Sequence, residues 1–494
     1  MNEQILTFLP VLAIIFPMVS GISMAFVRAD DRRTRNYQTF ITVAITSVLV
    51  LIINVSGHEN TFLFFDFGSK MSIAVRVDGL GRLFSSIAAI LWPLATVFAA
   101  EYMKNRGDEK RFFCFYTVTY GVTLAIAYSA NFLTMYLFYE LLTLMTLPLV
   151  IHNMNKEAFA AGRKYIWYSI GGAGLIFICL VFIVSYGDTL DFRMGGVFSG
   201  AILADYGDLV LQAFVVAFIG LGVKAALFPV HGWLISASVA PTVVTALLHA
   251  VAVVKAGSFA IMRLTFYLFG ADILLGTWAQ YFVMGLTLLT ILYGSCRALY
   301  TSHLKRRLAY STVSQLSYIN FGVTLMTPNG FAAAMMFLLA HSLIKILLFF
   351  CSGTVTFITH KYEIADMRGL GRQMPVTFVI FSVAALALMG VPPASGFISK
   401  LQLLTATAQA GGSMAYTGFI IITISILLTA AYMFSVVRTV YFPESGSAPV
   451  DKEHAPRDPG LAMTIPLAVL AFLVVFLGLI ARPLQAWFLQ IATG

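Results

Sequence analysis

The sequence predicts an all-α polytopic membrane protein of about fourteen transmembrane helices. Composition is the first reason: the 494 residues are 59% hydrophobic and 11% charged, with mean hydropathy +0.88, where a soluble domain carries about 25% charged residues. Patterning is the second, because apolar runs of about 20 residues recur from one end to the other with no polar block of domain size. The third is the placement of Lys and Arg, which crowd into alternate loops. Length alone would suggest about three soluble domains; the pattern instead describes one membrane domain.

Taken in order, the apolar runs place helices at 5–27, 38–55, 81–101, 113–129, 131–151, 165–186, 208–228, 240–267, 276–300, 308–326, 331–358, 375–405, 416–441 and 462–482. The first begins near Ile5 without a basic leader or a small-residue cleavage site, so it is expected to stay as a membrane helix. The stretches near 208–238 and 375–405 contain internal prolines. Proline lacks the N–H a helix needs and collides with the preceding turn, so breaks are expected there.

Orientation follows from the positive-inside rule. One set of alternate loops holds Arg28, Arg32, Arg33 and Arg35; Lys104, Arg106, Lys110 and Arg111; Lys156, Arg163 and Lys164; Lys305, Arg306 and Arg307; Lys361, Arg368 and Arg372; and Lys452 and Arg457. The opposite loops carry little beyond Lys70, Arg76 and Arg193. The first set is expected inside and both termini outside, in the inner membrane of a bacterium or archaeon. The same distribution explains the net charge of +9 as topology. No cluster interleaves basic and aromatic residues as nucleic-acid binders do, so no nucleic-acid partner is expected.

Cys114, Cys179, Cys296 and Cys351 lie far apart in apolar segments, which excludes CxxC-type redox or metal sites. No P-loop and no glycine-rich turn after a strand is present, so neither a cofactor nor a metal is expected.

Seven ionisable residues remain inside apolar helices: Glu140, Lys224, Lys255, Lys345 and Lys400, with His249 and His341. A charge at the bilayer centre costs at least about 2.5–3.5 kcal/mol, so such residues face a polar cavity or a partner. Glu140 sits mid-run in FLTMYLFYELLTLMTLPLV, too deep to snorkel. Lys224 precedes Pro229, and a broken helix at membrane depth is tolerated where it is buried or lines a cavity. A second break, at Pro392 and Pro393, lies just upstream of Lys400. Paired interrupted segments point to an ion site in each half of a transporter, although lysine precedes proline in one and follows it in the other. Between the breaks, TALLHAVAVVKAG pairs His249 with Lys255, and LAHSLIKILLFF places His341 and Lys345 on one helix face. Histidine titrates near neutrality and relays protons through either ring nitrogen. The plain alternatives are a bracing carboxylate, structural lysines and satisfied core histidines.

These residues stand in motifs that resemble a known family. GVKAALFPVHGWLISASVAPTVVTALLHAVAVVKAG is similar to the central signature of the antiporter-like subunits of complex I, Mrp-type cation/proton antiporters and membrane-bound hydrogenases. VDGLGRLF, NFLTMYLFYELLTL, KRRLAYSTVSQLSY, HSLIKILLFF, DMRGLGRQMP and GVPPASGFISK follow in the family's order across nearly the whole chain. The resemblance implies two inverted five-helix repeats, helices four to eight and nine to thirteen, with helices seven and twelve broken. The chain then divides into an N-terminal segment 1–112, repeats 113–267 and 268–441, and a final segment 442–494. It also implies roles in proton translocation for Glu140, Lys224, Lys255 and Lys400, and in proton relay for His249, His341 and Lys345. The Glu140–Lys224 pair would alternate between closed and open states. Lysine at 400, where one complex I branch has glutamate, favours the Mrp D-like, hydrogenase or other complex I branches. A long C-terminal amphipathic helix, present in the longest relatives, is not expected after ARPLQAWFLQIATG.

Three functions compete. The leading one is a proton-translocating component of a multisubunit cation/proton antiporter, with sodium the expected cation and other membrane subunits as partners. The second is a proton-pumping component of a complex I-like quinone oxidoreductase or a hydrogenase, whose redox chemistry would lie in other subunits. The third is a non-conducting membrane scaffold, against which four costly intramembrane charges argue.

Overall fold

The structure is a computed structural model that describes residues 3–26, 32–68, 70–104, 106–442 and 456–493. Arg28 and Lys452, counted above among the basic loop residues, lie outside the described residues. The described chain is all-α apart from one hairpin, and its bundle contains fourteen helical stretches, numbered below in chain order as candidate spans.

Eleven helices are long and apolar enough by themselves to cross a membrane: Leu6–Phe26, Arg32–Ser56, Gly79–Tyr102, Phe132–Val150, Lys156–Tyr186, Gly200–Lys224, Thr242–Phe269, Trp278–Tyr300, Pro328–Thr359, Ser413–Tyr441 and Leu461–Leu479. The other three spans are Glu109–Ala127, Leu304–Thr324 and the interrupted pair Pro375–Met389 and Ser395–Ala410. The fourth and tenth spans are less apolar because protein, not lipid, surrounds them. In the tenth, every residue except Arg306 and Tyr310 is buried.

Local chemistry sets many of the helix starts. Asn131, Asn155 and Thr277 cap the fifth, sixth and ninth spans by accepting the N–H of Thr134, Ala158 and Gln280. Such caps satisfy donors that a helix start leaves free. The eleventh span opens with Thr327 as cap and Pro328 in the first turn, where a missing N–H costs nothing.

Two features differ from the spans that the sequence predicts. The segment between the second and third is an antiparallel hairpin of Thr61–Asp66 and Ser72–Arg76, in place of an irregular loop. The eighth span, continuous by its apolar run, is three pieces: Thr242–Ala250, Val253–Met262 and a π-helical stretch Arg263–Phe269. Val251 leaves helical geometry at φ −130°, ψ −56°. No proline marks that break, so apolar patterning does not locate it.

The eighth span is buried along its whole length and the eleventh nearly so, and these two form the centre of the bundle. The sixth, thirteenth and fourteenth present most of their surface outward. After the fourteenth, a short sided helix, Ala481–Thr493, returns to the bundle and packs Ile491 onto Gly79 at the start of the third span.

Hydrogen bonds tie the basic loops to one another at one end of the bundle. Arg32 donates to Ala100 O at 2.6 Å, Arg111 to His152 O at 2.8 Å and Asn153 to Val239 O at 3.0 Å. Lys70 and Arg76 bind carbonyls of Gly187 and Phe192 at the other end. Lys305 and Arg307, expected in a loop, instead belong to the tenth span and are buried. Lys156, Arg163 and Lys164 likewise lie within the sixth, because that helix runs a further two turns outward from the apolar core.

Candidate functional site

The seventh span ends at Lys224, and the chain then runs without regular helix until Gly232–Ser236. Interrupting a helix strands the carbonyls of its last turn. Here Leu221 O accepts from the Tyr139 hydroxyl at 3.2 Å and Val223 O from Trp233 Nε1 at 2.7 Å. Lys224 Nζ, buried at the negative end of this half-helix, donates to Glu140 Oε1 at 3.3 Å and to the Tyr139 carbonyl. It also lies 3.5 Å from the centre of the Tyr139 ring. The ammonium therefore has a carboxylate, a carbonyl and an aromatic face as partners, and water is nearly excluded from it. The Glu140 side chain is 25% exposed against 2% for Lys224, so the pair opens toward the outside of the bundle on the glutamate side.

The second break is satisfied differently, by its own lysine. The twelfth span stops at Met389 and resumes at Ser395. Lys400, on the second half, folds back so that Nζ donates to Leu388 O at 2.7 Å and Met389 O at 3.1 Å, the last carbonyls of the first half. Lys224, at the end of its own half-helix, turns its ammonium to the fifth span, whereas Lys400 caps the C-terminal end of a half-helix directly. Close approach makes this possible, for a Cβ on Gly396 would lie 1.9 Å from Ala387 O.

Between the breaks, Lys255 Nζ and His341 Nδ1 are 2.7 Å apart, joining the eighth and eleventh spans. Lys345, one turn beyond His341, donates to Leu308 O at 3.0 Å and to Ser311 Oγ. His341 lies within electrostatic range of Lys255, Lys345, His249 and Lys400. A narrow cavity lined by Gln315, Phe337, His341, Leu388, Ser399 and Lys400 connects the His341 ring to the second break. At the first break, Gly257 rests directly on the backbone of Lys224 and Ala225, so Lys255 is carried on the helix that closes that interruption.

One expected pairing is not formed. His249 and Lys255 stand on either side of the break at Val251, and Lys255 turns to His341 instead. Neither ring nitrogen of His249 has a protein partner among the described residues, and neither does His341 Nε2. Buried polar atoms need hydrogen bonds, so these nitrogens are suited to bridging water. The His249 ring packs 4.7 Å from Phe349.

Several buried polar groups are not singled out by sequence. Gln315 and Asn320, in the middle of the tenth span, are buried with no hydrogen-bond partner among the described residues on either side-chain polar atom; polar residues inside SQLSYIN are the available signal. Arg263, fully buried in the π-helical stretch, forms a bidentate pair with Asp78 and is ringed by Phe192, Phe259 and Tyr267. Burial pushes the Asp78 carboxyl up, but the Arg263 guanidinium outweighs it and holds the group below the usual carboxylate range. Among the described residues no cluster of His, Cys, Asp or Glu is arranged to hold a metal.

An all-α bundle with interrupted seventh, eighth and twelfth spans and a buried line of lysines and histidines is a multi-pass membrane transport protein with a charged interior. The chain belongs to the family described as the NADH:quinone oxidoreductase/Mrp antiporter transmembrane family, whose match covers residues 129–429. All seven candidate residues fall within that stretch. Subunit N of the NADH-quinone oxidoreductase of Desulforudis audaxviator is 29% identical, with 95% of each chain covered. Subunit L of the corresponding Mycobacterium tuberculosis enzyme is 31% identical over 85% of this chain and 65% of its own length. The A/B subunit of a probable K(+)/H(+) antiporter of Rhizobium meliloti is 28% identical over 85% of this chain and 42% of its own. The fold matches a chain of the Mrp complex from Dietzia sp. with TM-score 0.85 at 21% identity, covering 99% and 97% of the two chains. A chain of an archaeal membrane-bound sulfane sulfur reductase matches with TM-score 0.83 at 21% identity, with the same coverage.

Proposed function

We propose that this chain is the proton-translocating, antiporter-like subunit of a multisubunit cation/proton antiporter, with sodium as the exchanged cation. Protons pass along Glu140, Lys224, Lys255, His341, Lys345 and Lys400, with His249 beside the path. The observation that carries the reading is the 2.7 Å contact of Lys255 with His341. It joins residues 113–267 to residues 268–441, the two halves proposed as inverted repeats, so that the two break-site lysines belong to one line of exchangeable groups. Each lysine is held by neutral carbonyls, a hydroxyl, an imidazole or one carboxylate, partners that accept either its ammonium or, through water, its amine. Moving Glu140 from about 4 to 8 Å halves its Coulomb attraction for Lys224, which gives the pair a means of passing its proton inward.

Other membrane subunits complete the assembly. A carboxylate exposed at mid-membrane depth is costly against lipid, and the 25% exposure of Glu140 supports a neighbouring subunit seated on that face. The end that gathers the basic loops is the cytoplasmic one, which leaves both termini outside. A second reading, a proton-pumping component driven by redox subunits, draws support from the end-to-end match with a subunit N.

The test is pH-gradient dissipation in everted vesicles from an antiporter-deficient host carrying the whole native operon, comparing wild type with Lys224→Ala at equal assembly. Sodium-dependent exchange lost in the mutant supports the antiporter; potassium in place of sodium reassigns the cation. Exchange unchanged in the mutant removes Lys224 from the path and favours a scaffold, and no wild-type exchange with either ion favours redox-driven pumping.

A further inference from the structure

We infer that Lys305 is a proton-loading residue, which takes protons from the solution at the basic end of the bundle and delivers them to Lys345. The inference rests on the proton path proposed above and adds an entry to it.

Lys305 reads in sequence as one of three consecutive loop cations, KRR. In the structure the three separate. Arg306 is exposed and fills the role of a topological anchor. Arg307 turns to the Tyr432 carbonyl at 2.9 Å and Ser435 Oγ at 2.7 Å. Lys305 is 8% exposed and points its ammonium inward, donating to Ala240 O at 2.5 Å. An anchoring lysine would extend its flexible stem to the surface; this one does the reverse.

Its position is poor for a permanently held charge. Lys305 sits in the first turn of Leu304–Thr324, where the helix dipole disfavours cations. The charged groups facing it are cationic or neutral bases. Arg106, after the third span, acts on it directly. His249 of the eighth span is in electrostatic range of both Lys305 and Lys345, and His303, Arg306 and Arg307 flank it on its own element. Among the described residues it has no salt-bridged carboxylate, unlike Lys224.

The delivery route follows this helix. Within two turns beyond Lys305, the carbonyl of Leu308 and the hydroxyl of Ser311 receive Lys345 Nζ. Lys305 and the Leu308 carbonyl that Lys345 holds are three residues apart on this helix, and His249, in electrostatic range of both lysines and with both ring nitrogens unpartnered among the described residues, is suited to bridge them through water. Toward the basic end lies a polar cluster, where the buried Tyr102 hydroxyl bonds Thr242 Oγ1 at 3.1 Å and the half-buried Arg106 donates to that hydroxyl at 3.1 Å. In each transfer the Lys305 ammonium gives one proton through water to the Lys345 amine, and Lys305 regains one from solution.

A structural alternative is that Lys305 only ties the tenth span to Ala240. The whole complex in everted vesicles separates the two. Lys305→Arg keeps a donor and a charge but does not release its proton at working pH; it is expected to assemble normally and slow exchange at least about tenfold. Lys305→His is expected to retain some of the exchange with its pH optimum moved to more acid values, because imidazole titrates near about 6.5. Arg306→Gln should exchange like wild type. Wild-type rates in Lys305→Arg, or an unshifted pH profile in Lys305→His, would overturn the loading role. If Lys224→Ala abolishes exchange while either of those results holds, only the entry is wrong; if Lys224→Ala is also without effect, the path itself is wrong.

Discussion

Gly257 is the position where a single methyl group should disconnect the two halves of the path. A Cβ built there would lie 2.4 Å from Ala225 N and 2.7 Å from the Lys224 carbonyl carbon. Ordinary contact begins at 3.4 Å, so the helix Val253–Met262 must retreat from the break by about 1 Å. Overpacking of this kind costs about 1–3 kcal/mol, offset by about 1 kcal/mol because alanine is the better helix former. The protein therefore survives Gly257→Ala, destabilised by at most about 2 kcal/mol. The effect on transport is larger. Lys255 rides two residues earlier on the same helix, and a shift of about 1 Å in that helix displaces its ammonium by an amount comparable to the tolerance of its 2.7 Å contact with His341. Misplacement on that scale lowers rates by roughly 100-fold where a chemical step depends on it. The assay is cation-dependent pH-gradient dissipation normalised to assembled complex, with thermal stability measured on the same preparations. An assembled Gly257→Ala complex exchanging at wild-type rate would refute the claim that this contact sets the Lys224–Lys255 geometry.

Glu140→Gln should assemble and lose most exchange, with Glu140→Asp intermediate; equal exchange in Gln and wild type would show that the carboxylate charge is not used. Asp78→Asn and Arg263→Gln should each destabilise the purified protein by roughly 3 kcal/mol, since each leaves a buried partner uncompensated. The double variant should cost less than the sum, and strict additivity in thermal melts would show that the pair is not coupled. The same pair predicts an acid limit. Because Asp78 is depressed in the folded state, its stabilisation is full above the unfolded value of about 3.9 and is lost as pH falls through the lower folded value. Melting curves of wild type and the double variant should therefore converge in acid. Lys400→Met strips the donor from the Leu388 and Met389 carbonyls and should abolish exchange in assembled complex; retained exchange would remove Lys400 from the path.

The contrast between what is readable in the sequence and what is not has a consistent cause. Spans are legible because a bilayer demands long apolar stretches, and the breaks at Pro229 and Pro392–Pro393 because proline cannot continue a helix. The break at Val251 and the π-helical stretch after Met262 carry no such residue; packing around Gly257 and the Asp78–Arg263 pair accompanies them. Lys305 reads as a loop residue because a loop cation and a buried first-turn cation look alike one letter at a time. The hairpin before the third span escapes notice because its short strands sit between two long apolar runs.

By itself the sequence determined that the chain is a polytopic bundle and which few groups are too costly to lie in lipid without a purpose: Glu140, Lys224, Lys255, Lys345, Lys400 and the two histidines. Those facts follow from solvent, since each residue's cost of leaving water is local to that residue. Tertiary structure alone decided the partners: Lys255 with His341 and not His249, Lys400 on the carbonyls of its own broken helix, Lys345 on the tenth span, and Lys305 turned inward. Hydrogen bonds a few ångströms long between residues 84 or 86 positions apart depend on how helices cross, and crossing is fixed by packing that no single segment contains.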